Sequence, residues 1–172
     1  MKLTVKDIAV FAMLGALMFV SKAVMEFLPN LHLIGMFIVS TTVVYRQKAL
    51  YPLYVFVFLT GLFNGFATWW IPYLYIWTVL WGMTMLLPKR MPKAIEPVVY
   101  AATSALHGLL YGTLYAPAQA LLFGLSIRQI PAWIAAGFPF DITHAIGNAV
   151  SGVLIVPLIL LLRRIDRGAQ KP

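Results

Sequence analysis

The sequence predicts an all-α integral membrane protein with six transmembrane helices and both the N and C termini in the cytoplasm. Three observations predict it. First, 62% of the 172 residues are hydrophobic and 10% are charged, whereas roughly a quarter of a soluble domain is charged. Second, eleven of the thirteen Lys and Arg residues fall into four clusters: Lys2/Lys6, Arg46/Lys48, Lys89/Arg90/Lys93 and Arg163/Arg164/Arg167/Lys171. Third, the intervening turns, Leu28 to Leu31 and Ala67 to Pro72, carry no charge. Positive charge in every second turn places those turns in the cytoplasm. The net charge of +8 thus orients helices and meets anionic lipid headgroups, and no nucleic-acid partner is expected. The chain makes a single transmembrane domain, 1–172, and with no Cys it has no disulfide, thiolate metal site or cysteine nucleophile.

The first span covers about 5–28 and stops at Pro29-Asn30, since proline cannot continue a helix. A cleaved signal peptide is the competing reading, with Lys2 and Lys6 before an apolar run that ends in Ser21-Lys22-Ala23. Its removal would leave an odd number of spans and disrupt the charge pattern. The second span, 32–45, is short for a bilayer that needs about 20 residues. The third covers 50–66, and Trp69, Trp70, Tyr73, Tyr75 and Trp77 crowd the outer turn after it as an interfacial aromatic belt. The fourth, 73–87, ends in the longest inner loop, Pro88 to Lys93. The fifth, 98–124, contains Pro117, so a kink or change of direction is expected near the outer face. Residues 126–138, with Arg128, Pro131 and Trp133, read as an outer cap lying on the surface. The sixth span, 140–162, ends at Arg163-Arg164. Small residues four apart recur, as in Ala12/Ala16, Gly61/Gly65, Gly108/Gly112 and Gly147/Ser151, and in lipid such pairs let helix backbones approach closely.

Ionisable groups inside spans are costly and therefore functional candidates. Lys22 and Glu26 are four apart on the first helix and can neutralise each other. On the sixth, Asp141, His144, Asn148 and Ser151 fall within about 80° of one another at 100° per residue. The fifth places His107, Tyr111 and Tyr115 on one stripe, with Gln119 further along. With Trp70, Tyr73 and Trp77 these outline an outward-facing pocket of aromatic walls and a few hydrogen-bonding groups, suited to a small planar or heterocyclic solute. The alternative for each aromatic taken singly is an interfacial anchor, and for each buried His or Tyr a satisfied packing group.

No phosphate-binding Gly-x-x-x-x-Gly-Lys-Ser/Thr element and no His-Glu-x-x-His occurs, so neither ATP hydrolysis nor a zinc site is expected. An intramembrane serine hydrolase would need Ser104 or Ser151 beside His107 or His144. Ser151 sits in Ala149-Val150-Ser151-Gly152, which lacks the first glycine of the Gly-x-Ser-Gly element of rhomboid proteases. A stand-alone carrier or channel, with Glu26, Asp141 and His144 coupling protons, is the other alternative.

Ala12-Met13-Leu14-Gly15-Ala16 on the first helix, in a compact basic chain of six spans with aromatic outer loops, resembles the substrate-binding S components of energy-coupling factor (ECF) transporters. The similarity extends over most of the chain, including Leu28 to Ile34, Gly65 to Trp77 and Phe138 to Asn148. The resemblance implies a multi-pass protein of a prokaryotic cell membrane that binds a vitamin or related micronutrient. A transmembrane coupling protein and two ATPase subunits would supply the energy, so the chain itself is expected to be no enzyme and to hold no cofactor. It further implies that Ala12 and Ala16 dock on the coupling protein. The substrate would sit near the outer side, among the aromatic and polar residues identified above.

Overall fold

The structure, a computed structural model, describes residues 3–28 and 30–168. Lys2, Pro29, Lys171 and the Arg167 side chain lie outside the described part. Eight α-helices occur among the described residues, and no strand. They are α1 (Val5–Val24), α2 (Ile34–Tyr45), α3 (Leu50–Asn64), α4 (Tyr73–Leu86), α5 (Glu96–Leu109), α6 (Tyr111–Phe123), α7 (Ile130–Ser151) and α8 (Ile155–Gly168). Single 3-10 turns at Arg46–Ala49, Thr68–Trp70 and Gly152–Leu154 join some of them.

Helix α1 starts at a reciprocal cap: the Asp7 amide donates to the Thr4 hydroxyl, and the Thr4 amide donates to Asp7 Oδ2. It buries Phe11, Leu14, Gly15 and Met18 and packs mainly on α3. Helix α2 is the centre of the molecule, touching α1, α4, α5, α7 and α8, and eight of its twelve residues are buried. A helix that is apolar all round belongs inside a core. Its hydroxyls are compatible with burial because Ser40 and Thr41 donate back to Met36 O and Phe37 O, at 2.7 and 2.8 Å. Ile34, Ile38 and Val39 meet Leu53, Phe56, Trp77, Leu80 and Ile155 around it.

Two stretches are long and apolar enough to cross a membrane: α1 and the nearly continuous 37-residue run Ile130–Asp166. Helices α2, α3 and α4 have 12, 15 and 14 residues, so each is ~18–23 Å long against about 30 Å of hydrocarbon. Large apolar side chains nevertheless cover the exterior, among them Met13, Leu17, Phe58, Phe63, Leu121, Val150 and Leu160.

Three sequence expectations change. The run 98–124 breaks at Leu110, between α5 and α6, while Pro117 stays within α6. The cause is tertiary: the Gly112 amide donates to Asp141 Oδ1 at 2.8 Å, which withdraws it from the helical ladder, and the Leu110 amide is shared between Leu106 O and His107 O. Second, residues 130–138 form no separate surface cap, but are the first turns of α7. Pro131 sits in the first turn, where its missing N–H costs nothing, and Pro139 is accommodated inside the helix. Third, α1 ends at Val24, so Glu26 lies in the following turn and forms no ion pair with Lys22; the ion pair seen among the described residues is Lys48–Asp7, at 2.8 Å.

The basic clusters gather at one end of the molecule. Lys6 donates to the carbonyls of Ile165 and Asp166, Lys48 pairs with Asp7, and Arg46, Lys89 and Arg163 line one pocket. Lys22, Glu26 and His32 lie together a helix length away, at the other end of α1 and the start of α2.

Candidate functional site

The three histidines of the chain, far apart in sequence, converge on Trp77 and Tyr111. His32 enters from the turn before α2, where Asn30 adopts a left-handed conformation (φ 61°) that Asn tolerates better than most residues. Its ring lies 5.3 Å from His144 of α7 and 5.5 Å, edge-on, from Trp77 of α4. Tyr111, at the start of α6, lies 4.5 Å from His144 and 5.8 Å from Trp77. His107, from the last turn of α5, is 5.7 Å from Trp77. Tyr73 continues the wall one turn before Trp77, at 5.6 Å, and Trp69 adds a further edge-on contact.

Close packing sets this geometry. A methyl group on Gly108 would stand 2.9 Å from Ala145 N and His144 C, so the backbones of α5 and α7 touch beside the histidine. The break at Leu110 then turns Tyr111 towards it.

Above the cluster is a cavity of about 210 Å³ lined by Lys22, Met25, Glu26, Leu28, Asn30, Leu31, His32, Tyr73, Tyr111 and His144. Drug-sized ligands occupy ≈ 300–1,000 Å³, so this volume suits one small ring system. A larger groove of about 840 Å³ runs over the exterior between α3 and α4, lined by Leu50, Tyr51, Tyr54, Val55, Phe58, Leu59, Trp81 and Gln47. It is nearly all apolar and lies on the exposed side, which fits hydrocarbon contact better than recognition of a polar solute.

The walls hold hydrogen-bonding capacity that the protein does not use. His107 Nε2–H donates to Ile76 O at 3.0 Å; in the neutral ring this leaves Nδ1 a lone-pair acceptor. The Nδ1 atoms of His32, His107 and His144, Trp77 Nε1 and Asp141 Oδ2 are buried without a partner among the described residues. Of these, His32 and His144 line the cavity, and unpaired buried polar atoms at a cavity wall mark a place for polar edges of a ligand.

Of the residues predicted from sequence, Lys22, Glu26, Tyr73, Tyr111 and His144 line the cavity; Trp77, 1% exposed, does not line it but packs behind His32, Tyr73 and Tyr111. Asp141 sits behind Tyr111, bound to the Gly112 amide. Asn148 lies one turn below His144 and donates to Ser104 O at 2.9 Å. Tyr115 extends the aromatic row, stacking on Trp133 at 6.1 Å. Gln119, further along α6, does not line the cavity. Trp70 lies apart: its indole donates to Val57 O at 2.8 Å and packs on Phe66. Among the described residues Ser104 Oγ has no hydrogen-bond partner, and Ser151 Oγ donates to Asn148 O, so neither serine is hydrogen-bonded to a histidine. Ala12 is exposed and Ala16 half-buried on α1, beside exposed Met13, Leu17 and Val20.

His32 and Asn30 escaped the sequence reading because helical periodicity assigns faces only to residues within helices. The one signal was scarcity: with two of three histidines already pointing to one region, the third, beside an uncharged Pro-Asn turn, was worth placing there. In comparisons with known proteins, the chain matches no family model, no curated protein and no solved structure.

Proposed function

We propose that this chain is the substrate-binding S component of an ECF-type importer, with six transmembrane helices and both termini cytoplasmic in a prokaryotic cell membrane. It captures a small vitamin-like solute at the outer face and delivers it through a transmembrane coupling protein driven by two ATPase subunits. The observation that carries the reading is the cavity walled by His32, His144, Tyr73 and Tyr111, at the end remote from the basic clusters. Positive charge faces the cytoplasm, so the cavity opens outward. Its aromatic faces suit a planar ring, and the unpaired Nδ1 atoms of His32 and His144 suit a ring with polar edges. Lys22 and Glu26, unpaired with each other at its mouth, suit a solute bearing charge of either sign. The face of α1 with exposed Ala12 and Met13 and half-buried Ala16 is the docking surface for the coupling protein. With α2 of 12 and α4 of 14 residues, tilting in the bilayer costs less than it would for long, well-anchored helices.

Native mass spectrometry of the detergent-purified protein, with identification of any small molecule released on denaturation, tests the reading. A stoichiometric heterocyclic compound is the expected result. An empty protein that gains no thermal stability across a panel of vitamins would overturn it. Asp141 Oδ2, buried and unpaired near His144, favours a second reading, a self-sufficient proton-coupled carrier. Uptake into proteoliposomes containing this chain alone distinguishes the two.

A further inference from the structure

The cavity walled by His32, His144, Tyr73 and Tyr111 is lined by one cation and one anion, Lys22 and Glu26, and by no other lysine, arginine, aspartate or glutamate. Four residues apart on a continuous helix, such a pair would share a face and neutralise each other. In this chain they do not. Helix α1 ends at Val24. The Met25 amide is shared between Ser21 O and Lys22 O, and the Glu26 amide donates to Ala23 O at 3.3 Å, the three-residue spacing of a tighter turn. The Leu28 amide closes the next turn onto Met25 O at 2.8 Å. Lys22 and Glu26 both reach the cavity, yet form no ion pair with each other.

Opposite charges held apart at one cavity select the charge of what enters. A simple anion would gain Lys22 but meet the repulsion of Glu26, and a simple cation the reverse. A neutral ring would gain from neither. Only a solute carrying both charges is attracted by both residues. The rest of the lining accommodates a ring, since Tyr111 and His144 lie 4.5 Å apart and Tyr73 adds a third aromatic wall. The Nδ1 atoms of His32 and His144, buried without a partner among the described residues, offer polar contacts to the edge of that ring.

We infer that the solute of this cavity is a zwitterion, a ring-bearing amino acid whose carboxylate meets Lys22 and whose ammonium meets Glu26. The inference rests on the solute-binding reading and narrows it to one charge class.

The test is made on the full chain in detergent with three matched sets of probes: L-tryptophan, tryptamine and indolepropionate; L-histidine, histamine and imidazolepropionate; L-tyrosine, tyramine and hydroxyphenylpropionate. Within each set the ring is constant and the charged groups alone change. Apparent affinities are read from the thermal midpoint as a function of probe concentration. In at least one set the amino acid is expected to bind roughly 10- to 100-fold more tightly than either analogue, as one hydrogen-bonded charge contact implies. Lys22→Gln should remove the preference over the amine, and Glu26→Gln the preference over the acid, each leaving the other preference in place. Arg128→Gln, which removes a charge outside the cavity, should keep both. A wild-type chain that responds to none of the amino acids, or that binds an amine or an acid as tightly as its amino acid, would overturn the inference, as would charge variants that lose both preferences alike. The two readings fail separately. A stoichiometric co-purified compound lacking either the ammonium or the carboxylate would sustain solute binding and overturn the zwitterion, whereas solute binding itself falls only with an empty protein that the vitamin panel also fails to stabilise.

Discussion

Replacing Gly108 with alanine isolates the contact that places His144. In any helix interior this change gains up to about 1 kcal/mol of intrinsic propensity. At Gly108 the new methyl would stand 2.9 Å from Ala145 N, His144 C and Asn148 Nδ2, where carbon contacts are comfortable at ≈ 3.5–4.0 Å. Two of those atoms are backbone of α7 and cannot rotate aside, so the helices must separate by several tenths of an ångström. Overpacking of this kind costs ~1–3 kcal/mol. Gly108 lies in the last turn of α5, where the propensity gain is small, so the net expectation is a loss of about 1–2 kcal/mol. Gly82 of α4 supplies the control, because nothing approaches within 4 Å of its added methyl. Gly82→Ala is expected to stabilise by up to about 1 kcal/mol. At ~2–4 °C per kcal/mol for a chain of this size, thermal melting in detergent should move the two midpoints in opposite directions. A Gly108→Ala protein at least as stable as Gly82→Ala would refute the packing argument, and with it the account of how α5 and α7 hold the site.

Other substitutions probe the remaining links. Asp141→Ala removes the acceptor of the buried Gly112 amide and should cost ~1–3 kcal/mol, whereas Asp141→Asn retains a carbonyl oxygen and most of the stability; melting curves of the pair, with amide exchange at Gly112, report both. Trp77→Ala empties a fully buried site and should lower stability by ~3–5 kcal/mol, measured by denaturant titration; a loss under 1 kcal/mol would contradict its place in the core. On the proposed function, His144→Ala is expected to abolish retention of a bound solute while leaving the fold intact. Trp70→Phe, which loses one indole bond to Val57 O worth ~0.5–1.5 kcal/mol, should leave retention unchanged, and native mass spectrometry separates the two outcomes.

Much of the fold was legible from composition and punctuation. The helices α2, α3 and α4 start and stop close to where Pro-Asn, Arg-Gln-Lys, the Trp-Trp turn and Pro88 mark the chain. The break at Leu110 was not legible, because it is caused by a carboxylate 29 residues away in sequence, while Pro117, the local breaker, sits within the continuing α6. The helix over 130–138 was hidden for a related reason: Arg128, Pro131 and Trp133 suggested a surface segment, yet Pro131 fits the first turn of α7. At the candidate site, stripe analysis singled out Tyr111 and His144 because helical spacing reports faces. It misplaced Trp70, whose indole turns back onto α3, and could not see His32, whose position depends on a turn rather than on a face.

The bonds from Lys6 to the carbonyls of Ile165 and Asp166 make the start of α1 and the end of α8 direct neighbours. A short linker between the two ends, with a new opening at the exposed Arg90–Lys93 loop, would carry the same helices in a permuted order. Such a permutant also offers a practical handle, because labels or fusion partners could be attached at that loop without disturbing the opposite end.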